Sequence, residues 1–490
     1  MPEVQTPAAR GWRAVLLCAR APCVAMVLLG ATLGPTVAES PHEPPLPAGL
    51  GEESPDEPTL PSGLEGDEPD APALPPGLGD EKRQDEGAEA AQRTLADRLP
   101  AGVHGFAETR LGPRIHRDPA QSSRFTMGEV RLQGAYARAW KPLSLEAKGD
   151  LIFDGVLDSV ETDLRVLRLS FRPLRSVDLQ LGRQIITWGT GDLLFINDLF
   201  PKDWQSFFIG RDEEYLKAPS DAVRAGWFGS KISLDLVYTP TFDPDRYIRG
   251  ERISFFDPQT GEARGDDAPL RTDRPDEPFD DDEIALRVYG RVGPWEITGY
   301  GYDGFWKSPA GFDPLSGRGT FPALSVLGAG ARGPLGPGIV SVETGYYDSR
   351  SDRDGSDPLI ANGELRLLVG YEMELARELT GGFQYYLEHM LDHDAYLENL
   401  PAGEPRDENR HVLTVRLTRL LRSQTVTASL FVYYSPSDRD GYVRPRLTYA
   451  LNDAWILEGG ANLFFGDEDH TFFGQFDKGS NVYGAVRFSF

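Results

Sequence analysis

Asn481-Val482-Tyr483-Gly484-Ala485-Val486-Arg487-Phe488-Ser489-Phe490 alternates apolar residues with small or polar ones. Val482, Val486, Phe488 and Phe490 fall on one face at the two-residue period of a β-strand. A soluble sheet has little use for a last strand that is so apolar on its outer face. A sheet closed on itself in hydrocarbon does, because its last strand pairs with its first and its outside must be apolar. The segment predicts an all-β transmembrane barrel; the competing reading is the last strand of a soluble β protein.

The opposite end agrees. Arg10, Arg13 and Arg20 precede an apolar run from Cys23 to Leu33, followed by Pro35-Thr36-Val37-Ala38. This pattern predicts a secretory signal over 1–38, cut after Ala38. Both cysteines, Cys18 and Cys23, lie in it. The mature chain then has no disulfide, no thiolate metal site and no cysteine nucleophile. No other stretch is long and apolar enough for a membrane helix, so any crossing must use strands. The net charge is −26, or −28 without the leader's net +2 from Arg10, Arg13, Arg20 and Glu3. Such a balance excludes nucleic acid as a partner, since phosphate binding needs a basic face.

Residues 39–100 are a different material. Three 14-residue units, Glu43 to Asp56, Glu57 to Asp70 and Ala71 to Gln84, each carry Pro-x-Leu-Pro-x-Gly-Leu. They set Leu46, Leu60 and Leu74 in one register and Leu50, Leu64 and Leu78 in another. Low hydrophobicity, many prolines and one sign of charge cannot bury a core, so a disordered acidic arm is expected. It is either a solvated spacer or a repeated linear motif that docks a periplasmic protein.

From 101 to 490 the pattern predicts eighteen strands: 103–115, 124–140, 142–156, 163–172, 176–188, 219–228, 231–239, 283–292, 294–306, 322–332, 338–349, 362–374, 379–393, 409–420, 423–434, 440–450, 453–465 and 481–490. Connections after even-numbered strands are tight, as at Gly229-Ser230 and Gly293. Those after odd-numbered strands are often long, as at 189–218 and 240–282. In barrels of the bacterial outer membrane the short turns are periplasmic, which would put both termini there. Trp140, Trp227, Trp295 and Trp455 fall at the short-turn ends, and Trp188 and Trp306 at the long-loop ends. The spacing predicts two aromatic girdles at the lipid–water boundaries.

Alternation sends Arg131, Arg168, Arg172, Arg287, Arg291, Arg366, Arg416, Arg444 and Arg446 into the lumen, because an arginine facing mid-bilayer costs ~2–4 kcal/mol. They either pair with Glu129, Glu364, Glu372 and Glu388 to brace the wall, or form a basic ladder that favours anions. Val177 to Arg183 breaks the rule at Arg183, which predicts a bulge near Gly182 or an interface position. Loop 189–218, with Lys202, Arg211 and Lys217, is expected to fold into the lumen as a constriction.

The C-terminal strand resembles the ending of bacterial outer-membrane barrels, which implies that the barrel-assembly machinery reads Phe488 and Phe490. Leu181-Gly182-Arg183-Gln184-Ile185-Ile186-Thr187-Trp188-Gly189, followed by Ile196-Asn197-Asp198, resembles a porin-like family of uncharacterised outer-membrane barrels. More loosely the chain is similar to the alginate-export porins. The resemblance covers 103–490 and implies passage of hydrophilic solutes, anionic ones included. His389-x-x-Asp392-His393 is read as a polar rim rather than a metal pair. Asp352-x-Asp354-Gly355-x-Asp357 has calcium-loop spacing but lacks the closing Glu. No nucleophile elbow or phosphate loop is present, so neither an enzyme, a metal nor a cofactor is expected. The function expected is an outer-membrane channel. The alternative is a non-conducting anchor of an envelope complex, docked through the repeat arm.

Overall fold

The computed structural model describes residues 102–400 and 405–490. The expected signal peptide, the repeat arm and its leucines lie outside the described residues.

The chain forms one closed sheet of eighteen strands. They are β1 (Val103–Pro113), β2 (Phe125–Trp140), β3 (Leu143–Asp154), β4 (Ser159–Leu174), β5 (Val177–Gln184), β6 (Ser220–Phe228), β7 (Ile232–Thr239), β8 (Glu283–Val292) and β9 (Trp295–Phe305). The second half is β10 (Ala323–Leu335), β11 (Gly338–Ser349), β12 (Glu364–Ala376), β13 (Leu379–Met390), β14 (Asn409–Leu421), β15 (Val426–Ser435), β16 (Asp440–Ala450), β17 (Trp455–Gly466) and β18 (Asn481–Ser489). Each strand pairs antiparallel with the next. β18 closes the wall on β1, from Phe106↔Ser489 to Leu111↔Gly484. Gly105 and Phe490 extend that seam by exchanging two backbone hydrogen bonds of 2.9 Å. Closure removes every edge, which is the condition for a sheet to sit where no water can satisfy it.

One face of each strand points out and is apolar. Leu132, Leu236, Leu286, Leu327, Leu447 and Val486 are all exposed there. So large an apolar surface is stable only against another apolar medium. Trp140, Trp227 and Trp455 ring the short-turn end, and Trp455 packs on Phe488 at 4.9 Å. The long-loop end differs from the tryptophan pattern. Trp188 is only 6% exposed and turned inward, and Trp306 donates to Ser349 Oγ at 3.3 Å inside the lumen. Outward Phe153, Tyr346, Tyr434 and Phe465 occupy that boundary instead.

All eighteen predicted strands are present, with shifted ends. β5 stops at Gln184, four residues before the predicted end, and the chain leaves the wall there. The register from Leu167↔Arg183 to Phe171↔Leu179 is unshifted, so Gly182 makes no bulge. Arg183 stays on the outer face at the rim, paired with Asp221 at 2.6 Å. The bulge lies one strand pair away, between Lys148 and Gly149, and turns the extra residue Arg165 inward. β5 to β8 are the low side of the wall, 8, 9, 8 and 10 residues against 16 in β2 and β4. The two longest loops, 185–219 and 240–282, both rise from this low side.

Candidate functional site

Loop 185–219 folds into the lumen and builds a small core there. Ile196, Phe207, Ile209 and Leu216 are each at most 1% exposed. Phe208 packs on wall residues Tyr442 and Phe464 at 5.6 and 5.2 Å, and Trp188 meets Phe200 edge-on at 4.9 Å. Burial of these rings holds the loop in place without a covalent tie. Local chemistry shapes it. Asp203 caps the helix α1 (Trp204–Ile209) by accepting from Ser206 N at 2.7 Å. Gly210 ends it at φ +100°, where a Cβ would meet the Tyr483 ring at 2.6 Å.

Polar bonds then fasten the loop around the wall. Glu343 of β11 is 1% exposed and accepts from Gly191 N and Asn197 Nδ2, both at 3.1 Å. Tyr433 donates to Leu193 O at 2.6 Å, and Tyr347 donates to Ile196 O. On the far side Arg211 reaches Glu129 of β2 through Nη2 at 2.7 Å and Nε at 3.0 Å. Arg165 donates to Glu214 O and Lys217 O at 2.9 Å. Lys202 and Lys217 flank the buried Asp198 at 3.1 and 2.5 Å, over the Phe195 ring. Burial pushes the Lys202 ammonium down to about 8, against the pull of Asp198. Burial raises the carboxyl of Asp245, which takes a hydrogen bond from Lys202 N at 2.7 Å.

Above the loop, toward the long-loop end, a cavity of about 1070 Å³ remains. Phe195, Trp204, Trp306, Tyr347 and Tyr386 give it aromatic walls. Its six basic residues face eight acidic ones, so it carries no basic excess.

Seven of the nine arginines that alternation sends inward, Arg131, Arg168, Arg287, Arg366, Arg416, Arg444 and Arg446, sit in ion pairs. Arg131 bonds Asp150 at 2.8 Å and Glu129 at 3.1 Å. Arg168 pairs with Glu146, Arg287 with Asp235 and Arg366 with Glu364. Arg416, Arg444 and Arg446 face carboxylates of the inward loop. Arg172 and Arg291 lie exposed at the short-turn end. Of the carboxylates, Glu364 and Glu388 join Arg366 and Arg406 in one cluster. Arg110, Arg165 and Arg487 were missed, although each obeys the inward parity of its strand or sits at the bulge. His389 bonds Asn409, His393 bonds Arg406 O, and Asp352 accepts from Ser356 N and Asp357 N of its own turn.

No family model and no curated protein matches the chain. Solved structures do. A mutant porin of Rh. blastica matches at 12% identity over 79% of this chain and 99% of that one, with TM-score 0.35. OccAB3 of Acinetobacter baumannii matches at 8% identity over 79% and 98%, with TM-score 0.48. OccK11 (OpdR) of Pseudomonas aeruginosa matches at 12% identity over 79% and 95%, with TM-score 0.46.

Proposed function

We propose that this barrel is an outer-membrane channel for hydrophilic solutes, its lumen narrowed by loop 185–219. The observation that carries the reading is a closed wall, apolar outside and ion-paired inside, around a lumen cavity of about 1070 Å³. The short-turn end and both termini face the periplasm on this reading, and Phe488 and Phe490 serve assembly. Passage of anions, as the resemblance to alginate-export porins implies, then depends on how the lumen arginines are shared. With the loop inside, nearly all are paired, so weak ion preference is expected. Planar-bilayer recording of the purified protein tests this: stepwise conductance is expected, and a barrel that never conducts sinks the channel. The anchor reading draws on the three repeats of 43–84; deleting them leaves conductance intact if the barrel is a channel.

A further inference from the structure

The short-turn end carries an unmatched basic arc. Lys141, Arg172, Arg175, Lys231, Arg291 and Arg332 lie in or beside the five short turns between β2 and β11, and all six are exposed. Among the described residues none of the six forms an ion pair closer than that of Arg172 with Asp178, at 3.9 Å, too long for a hydrogen bond. The other carboxylate there, Glu296, lies in register between Arg291 and Arg332. Six cations thus face two carboxylates, in a chain whose net charge is −26. The other half of this end has no such excess: Arg377, Arg419 and Arg422 stand with Glu372, Glu374, Glu378 and Asp453.

We infer that the acidic repeats of residues 43–84 dock on this arc. The chain enters the wall at the same end: Val103 pairs with Tyr136, and Ala137 N donates to Gly102 O at 3.2 Å, beside the turn that holds Lys141. Residues 39–81 hold twelve carboxylates and no lysine or arginine. Residues 85–100, which separate the repeats from the wall, can stretch to ~55 Å at ~3.5 Å per residue. A wall of eighteen strands tilted by ~40° is only ~35 Å across, so every turn of the arc is within reach. Exposed ion pairs are individually weak. A tether raises the effective concentration of the arm's carboxylates, so several act together. Anionic lipid headgroups are the competing occupant, and they cannot serve the whole arc. Arg172 and Arg291 share the inward parity of Arg168 and Arg287, and Arg332 that of the lumen-buried Leu324 and Val326. Docked on one half of the rim, the arm screens the positive charge of the mouth and leaves the other half uncovered. The screening rests on the channel reading; the docking does not.

The test places spin labels at Ser62→Cys in the arm and Ser230→Cys in the central turn of the arc, on residues 39–490, which have no cysteine of their own. In vesicles of zwitterionic lipid, pulsed dipolar spectroscopy should give a distinct short-distance population. Raising the salt from ~0.1 to ~1 M shrinks the screening length from ~10 to ~3 Å and should cut that population about fivefold. Neutralising Arg172→Gln, Arg175→Gln and Arg291→Gln together should cut it likewise at low salt. Arg377→Gln with Arg422→Gln, on the other half, should leave it unchanged. No short-distance population in the native chain, or one that survives both the salt and the triple substitution, overturns the inference. So does its loss when phosphatidylglycerol is added to the vesicles, which assigns the arc to lipid. In a conducting barrel, deleting 43–84 should keep the conductance and move the reversal potential toward anions. An unmoved potential overturns the screening, and a barrel that never conducts removes only the channel, because the distances need no current.

Discussion

Glu129 is the hinge pin of the inward loop on the β2 side, and Glu129→Gln should release it. The carboxylate is 3% exposed and takes two bonds from Arg211, 2.7 and 3.0 Å, besides one from Arg131 at 3.1 Å. Arg131 sits on the same strand and keeps Asp150 at 2.8 Å, so its pair does not change when the loop leaves. Only the Arg211 pair does, and Arg211 retains Ser206 Oγ at 2.9 Å. Breaking one partner of a buried pair costs ~3–5 kcal/mol; with that residual bond the lower end applies. About 3 kcal/mol raises the loop-out to loop-in ratio by roughly two decades. Trypsin reads this ratio after Arg211 and Lys217, since cleavage of a transiently opened segment follows its open population. The expected cleavage rate rises about 100-fold, with the folded barrel still migrating as a compact band in unheated gels. A rate within threefold of native in a folded barrel refutes the idea that this pair holds the loop in.

Three further outcomes follow from the same geometry. Leu286→Arg puts a charge on the lipid face of β8 and should cost ~2–4 kcal/mol in urea titration of refolding into vesicles, while Leu286→Val should cost under ~1.5 kcal/mol. Tyr433→Phe removes the donor to buried Leu193 O and should loosen the loop by ~1–3 kcal/mol, seen as faster tryptic cleavage with unchanged barrel stability. Lys202 titrates near 8 when buried, below its ordinary value of 10.5, so a loop-out chain binds more protons between those limits. The loop should therefore hold more firmly as pH rises from 8 to 10.5, and Lys202→Met should flatten that dependence of the cleavage rate.

The wall was legible because two-residue alternation is imposed by lipid on one side and by enclosed polar groups on the other. The inward loop was less legible. Ile185 to Trp188 reads as a continuing strand because the run is apolar, yet its apolar groups are buried in the lumen. The signal was nonetheless present in the wall. Leu430-Phe431-Val432-Tyr433-Tyr434 is apolar on both faces, and Phe431 and Tyr433, on the inner one, are each 3% exposed. A barrel strand that is apolar on its inner face must cover something, and here it covers the loop. Trp188 and Trp306 misled for the same reason: an indole serves a lumen core as well as a lipid boundary. Pairs within the wall, such as Arg131 with Glu129 and Arg366 with Glu364, were among the expected arrangements, but the partners of Arg416 and Arg444 were not legible, because Asp192 and Glu213 come from a loop that periodicity cannot place.

The seam has a kinetic meaning. Arg487 of β18 donates to Glu108 of β1 at 2.9 Å across a separation of 379 residues, and no shorter route completes the wall. Contacts so remote along the chain are paid for in loop-closure entropy before they return anything, so they form late. Until the final strand arrives, β1 must remain an unsatisfied edge, and the acidic loop must wait without the arginines of its last two partners, β16 and β18. Sequence separation therefore orders the events: pairing of neighbouring strands first, then closure, with the loop docking fully only once closure has supplied its second wall.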